Sequence, residues 1–213
     1  MHYGFVAVPS TVDRLVSAFT EVWPKYEIGS RAMLSSMDGY LSWKKENDRF
    51  VSARDWTPQD PGVEAYGFVQ DGNWAVLLDS SYVLSSDKEA LARLSQAFDS
   101  CIAFIIETAG GSAHFMSFAQ GQLIRSIASI DGKVTTGGAP ILEEAGLQID
   151  RYYMVEAEEL QRRLGFRFLS DCPPTEVTAI ATIDRTDYTA LFAQAKVAES
   201  TAVPRQKTWW RLW

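Results

Sequence analysis

Apolar residues along this chain recur with two periods, and the changes between them mark its elements. Residues 3–8 form a mainly apolar run ending at Pro9-Ser10, which reads as a strand. Ser10 is placed to cap the helix that follows, with the carboxylate of Asp13 beside the exposed amides. Val12, Leu15, Val16, Phe19, Val22 and Trp23 then repeat at three- and four-residue intervals, so one face is apolar, and Pro24 stops it. Residues 28–43 mix the two periods, with a turn at Asp38-Gly39 and a short strand expected over 40–43. Residues 44–62 carry four basic and four acidic side chains together with Pro58 and Pro61, the composition of a long polar loop.

The middle of the chain is read as a series of strands. Residues 63–69 and 74–79 flank Gln70-Asp71-Gly72-Asn73, a hairpin signal. Ser86-Asp87-Lys88-Glu89 has the form of a capping box, and Leu91, Leu94, Ala97 and Phe98 give the following helix its apolar stripe. Three further strands are expected over 102–108, 113–118 and 122–130, joined at Gly110-Gly111 and Gln120-Gly121; connections this short make antiparallel neighbours. Asp131-Gly132 and Gly137-Gly138 bracket a turn region. A short helix over 156–164 closes at Gly165, where a left-handed residue belongs. A strand over 177–183 precedes a last helix, capped by Asp184 and carrying Tyr188, Leu191, Phe192 and Ala195. Helices interleaved with a hairpin and a three-strand meander predict an α+β fold, a mainly antiparallel sheet with helices packed on it.

Composition narrows the function classes. The 213 residues, 46% of them hydrophobic, suffice for one domain over 1–200, followed by a tail over 201–213. With 27 acidic against 20 basic side chains the net charge is −7, which argues against general nucleic-acid binding, where excess lysine and arginine must displace counterions from phosphate. The longest unbroken apolar stretch, 101–106, is far too short to span a membrane, and the first nine residues lack a basic, signal-like start. Cys101 and Cys172 lie 71 residues apart without metal or redox spacing; a single long-range disulfide stays open, and a reducing cytoplasm is the expected compartment.

Candidate chemistry is thin. His2, His114, Cys101 and Cys172 have no metal-ligand spacing, and neither metal nor cofactor is expected. Ser112 and His114 share a strand face about 7 Å apart, too far for direct proton transfer. Gly132-Lys133-Val134-Thr135-Thr136-Gly137-Gly138 has the letters of a phosphate loop in the wrong order. The remaining catalytic alternative is a dispersed site drawing on His114, Glu107 and Asp79.

Two features carry more. Residues 141–160 hold Glu143, Glu144, Asp150, Glu156, Glu158 and Glu159 against Arg151 alone, a balance of −5, with Tyr152 and Tyr153 in the same stretch. Such a run is either a solvated face or a docking surface on which acids steer a basic partner and tyrosines anchor it. The tail carries Arg205, Lys207 and Arg211 with Trp209, Trp210 and Trp213; its +3 leaves −10 for the first 200 residues. Tryptophans so grouped are expected to fold back on an apolar patch or to dock a partner.

Residues 71–79 (Asp71-Gly72-Asn73-Trp74-Ala75-Val76-Leu77-Leu78-Asp79), Glu107-Thr108-Ala109-Gly110-Gly111-Ser112, Gly121-Gln122-Leu123-Ile124-Arg125 and Leu164-Gly165-Phe166 together resemble bacterial polymorphic-toxin immunity proteins over residues 63–168. The likeness lies in the order of strands and turns, and no catalytic residue comes with it. It implies a cytoplasmic protein that binds a cognate toxin, a basic protein partner, and occludes its active site. The acidic, aromatic stretch 143–159 and Trp209, Trp210 and Trp213 are the expected contact residues. The alternatives are the dispersed enzyme site and a structural or assembly subunit tethered by its tail.

Overall fold

The computed structural model describes residues 2–52, 55–168, 174–188 and 190. The elements follow in the order β1 (His2–Val8), α1 (Val12–Val22), β2 (Tyr26–Leu34), α2 (Met37–Asn47), β3 (Val63–Asp71), β4 (Trp74–Leu78), α3 (Val83–Ser86), α4 (Lys88–Ala97), β5 (Ser100–Glu107), β6 (Ser112–Ala119), β7 (Gln122–Ile130), β8 (Lys133–Gly138), α5 (Met154–Arg163) and β9 (Val177–Asp184). All strands join one antiparallel sheet in the order β2-β9-β3-β4-β1-β5-β6-β7-β8. The fold is α+β.

Helices cover both faces of the sheet. Val6 and Val8 of β1 and Cys101 and Ala103 of β5 pack with α1, α3 and α4; Phe5, Ala7, Ile102 and Phe104 point the other way and pack with α2 and α5. Double coverage explains the unbroken apolar runs of β1 and β5, because neither face of these central strands meets water. Edge strands are treated differently. β2 keeps only Tyr26 buried, and β8 has no buried residue.

The hairpin turns at Gly72-Asn73, with Gly72 at φ +57°. α5 ends in a Schellman motif: Gly165, at φ +93°, donates to the Arg162 carbonyl, and the Phe166 amide reaches back to Gln161.

Several local expectations are corrected. Residues 40–43 are helical, not a strand, because Ser36 caps α2 by accepting from the Gly39 amide at 3.1 Å, and Met37, Tyr40 and Lys44 line one side. The first turn of α1 begins after Thr11, not Ser10, and its orphan Val12 amide is met by the Gln70 side chain at 3.1 Å. Asp87, accepting from the Ala90 amide, caps α4, while Ser86 ends α3, so there is no serine-based capping box. The turn region after residue 131 contains β8, hinged on Asp131 and Gly132, both at positive φ as a two-residue primed turn requires. After β9, Asp184 accepts from the Thr186 amide and the Tyr188 hydroxyl, whereas the Ala190 amide donates to Asp187. Leu191, Phe192 and Ala195 of the expected helix, and the whole 201–213 tail, lie outside the described residues.

Candidate functional site

The acidic stretch leaves the edge strand β8, makes two single 3-10 turns at Leu142–Glu144 and Ile149–Arg151, and runs into α5 on the face that buries Phe5 and Phe104. The structure divides its residues into three groups.

Glu144 is buried and faces inward. Its two oxygens accept from Arg125 Nε at 2.8 Å and Nη2 at 2.6 Å, and Oε1 also accepts from the Ile141 amide at 3.1 Å. Arg125 Nη1 completes the network on the carbonyls of Gly137 and Gly138. One bidentate pair thus ties the 3-10 turn to the end of β8. Gly138 is obligatory there: at φ +75°, a side chain would run into the Ile124 carbonyl. Tyr152 is also interior. Its ring belongs to the core, its hydroxyl has no hydrogen-bond partner among the described residues, and burial pushes its phenol well up. Glu144 and Tyr152 therefore present nothing to a partner in this fold, contrary to the docking expectation.

Glu159 is at the surface but engaged. Arg162 and Arg163 bond its carboxylate at 2.8 and 2.7 Å and hold its pKa down to about 2. Arg163 also donates to the carbonyls of Glu143 and Ala145, which pins the C-terminal half of α5 to the first 3-10 turn.

The third group is open. Asp150 and Glu158 are exposed, and Glu143 and Glu156 are half-buried; among the described residues none of the four has an ion-pair partner. Tyr153 is half-buried against the core. Beside these acids stand two apolar side chains that the charge pattern did not single out, Leu142 at 85% exposure and Val155 at 73%. Val155 and Glu158 lie three residues apart, on one outward stripe of α5. For Val155 the signal was present in the sequence, as an apolar residue at a position that helical spacing turns away from Ala157 and Leu160.

The dispersed catalytic set does not assemble. Asp79 is buried and its carboxylate is committed to the Ser85 amide and hydroxyl at 2.7 and 2.8 Å and to Ser81 at 2.9 Å. His114 pairs with Ile105 and Asp79 lies beside Gly4, so β1 and β5 separate them by about 14 Å. Glu107 sits opposite Ser112, diagonal to His114 at about 7–8 Å, and accepts from the Ser112 hydroxyl. His114 is pulled below its ordinary pKa by burial and then by the charge of Lys88, which leaves a neutral imidazole at pH 7. Cys101 pairs with Phe118, four residues along β5 from the His114 partner, about 13 Å away, and burial pushes its thiol up. Among the described residues no group of three or more His, Cys, Asp or Glu side chains could hold a metal ion, and Cys172, Trp209, Trp210 and Trp213 lie outside them.

No protein-family model, curated protein or solved structure matches this chain. No helix among the described residues is long and apolar enough to cross a membrane. What remains is the surface of α5 and of the two 3-10 turns before it, with four open carboxylates and two exposed apolar side chains. A surface of that kind can attract a basic protein over a distance and then bury Leu142 and Val155 on contact.

Proposed function

We propose that this protein is a cytoplasmic immunity-type inhibitor, which binds a cognate bacterial toxin and covers a basic substrate cleft with the ridge formed by residues 142–158. One observation supports this reading above others: Glu143, Asp150, Glu156 and Glu158 keep open carboxylates beside exposed Leu142 and Val155, while neighbouring Glu144 and Glu159 are spent on arginines. Carboxylates without internal partners cost the fold nothing when an external cation takes them, and they accelerate encounter with a basic surface. Leu142 and Val155 provide the area that desolvates on docking.

The test is co-expression of the full chain with the product of the adjacent open reading frame, followed by association kinetics across a salt series. Asp150→Lys, Glu156→Lys and Glu158→Lys combined should slow association by about tenfold or more and flatten its salt dependence. Unchanged kinetics in the triple variant would remove this ridge as the docking surface. Glu159 is excluded from the set because its pairs with Arg162 and Arg163 would confound the result.

A further inference from the structure

A cavity of about 360 Å³ opens on the face of the sheet that α2 and α5 cover, and Tyr3 of its lining bonds Gln161 of α5. Phe5 and Leu78 form its floor from β1 and β4, Phe168 closes one wall, and Met37, Tyr40 and Leu41 line the other from α2. At ~30 Å³ per molecule it has room for about a dozen waters, far more than the gaps that close-packed interiors leave, and within the range of small-ligand sites. α2 is shaped to it. Met37, Tyr40, Leu41 and Lys44 recur at three- and four-residue spacing along the cavity, and Tyr40 is the one fully buried residue of the helix. Gly67 lets the Tyr40 ring lie against β3, since a Cβ there would meet the ring at 2.8 Å.

The charges around the cavity decide what it can hold. Lys44 is neutralised by Asp48 at 2.5 Å and also donates to the Ala65 carbonyl at 2.8 Å, which leaves one of its three ammonium protons. Asp79 reaches the lining with its carboxylate already committed to Ser81 and Ser85. Among the described residues no free cation therefore faces the space, and the Asp79 carboxylate keeps its charge with both oxygens held by serines. The aromatic walls, with Phe5 and Phe168 edge-to-face at 5.2 Å, favour a flat ring that can add a further edge or face contact. We propose that this cavity is a binding site for an uncharged, mainly aromatic small molecule with one hydrogen-bond acceptor, directed at the remaining proton of Lys44.

The full chain carrying ¹³C-methyl methionine provides the readout. Met37 lies on the cavity wall, and buried Met116 packs on the opposite face of the sheet as an internal control. Titration with acetophenone should shift the Met37 methyl saturably and leave Met116 still. Ethylbenzene, which lacks the acceptor, should bind roughly three- to tenfold more weakly, and Lys44→Leu should erase that preference. Benzoate should not bind, because no free cation offsets the cost of desolvating its carboxylate. Leu78→Phe fills the cavity from the floor and Leu41→Trp covers it from the exposed rim; either should abolish the Met37 response while Met116 keeps its wild-type shift. The proposal is overturned by an unsaturable or absent Met37 shift, by equal shifts at both methionines, by benzoate binding as tightly as acetophenone, or by a response that survives both blocking variants.

Discussion

Glu144 and Glu159 lie fifteen residues apart in one acidic stretch, and each carboxylate is held by arginine. Their circumstances are opposite. Glu144 and Arg125 are both 4% exposed, and their pair links two elements, a 3-10 turn and strand β7. Glu159 reaches Arg162 and Arg163 within a single helix turn, in water. A buried pair is weak evidence for net stabilisation, since both charges had to be desolvated, but removing one member strands the other in a low-dielectric site. A surface pair is screened, and its loss strands nothing. The same chemistry thus holds the fold together at one position and tunes a helix at the other.

The comparison can be broken most forcefully at the buried pair. Glu144→Gln should lower the unfolding free energy by about 3–5 kcal/mol, measured by urea denaturation at pH 7, because Arg125 then stays buried without a counter-charge. Adding Arg125→Met should recover much of that loss. If the single variant costs no more than a surface substitution, the clip does not organise the turn.

His114 gives a smaller, pH-dependent effect. Its folded pKa lies below the ordinary 6.5, so the unfolded chain takes up the proton first; stability is complete above about pH 6.5 and falls as pH drops towards the folded value. Urea midpoints between pH 8 and pH 5 should therefore drift down in the wild type and drift less in His114→Gln. An identical drift in both would assign it to other groups.

Glu159 gives the smallest effect. With its pKa depressed from 4.5 to about 2, its pairing is complete above the unfolded value and disappears as pH falls through about 4.5 to 2. At pH 7 and physiological salt, Glu159→Gln should leave the urea midpoint unchanged within error, since the group is solvent-screened. A loss matching that of Glu144→Gln would erase the distinction between the two sites.

Legibility in the sequence followed burial. β1, β5, α1 and the β3–β4 hairpin carry strong patterns because their residues pack against a core or turn at a glycine, and both constraints restrict residue type. β2, β8 and α2 carry no such pattern, for the converse reason. The two edge strands bury one side chain between them and α2 buries only Tyr40, so few of their positions are chosen for apolarity. The acidic stretch was visible as a count of charges, but its division was not. Arg125 comes from β7, nineteen residues before Glu144, and alternation with Ile127 places it on the face that holds the 3-10 turn.

The sequence by itself determined the α+β class, the antiparallel meander, the Schellman end of α5 and the acid excess of residues 141–160, since each depends on local spacing or on composition. Tertiary structure alone decided which acids are open to a partner, that Tyr152 is core, and that Asp79, Glu107 and His114 form no common site. The physical reason is that a carboxylate's role depends on how far it is desolvated and on which cation another element brings beside it, and neither quantity is a local property of the chain.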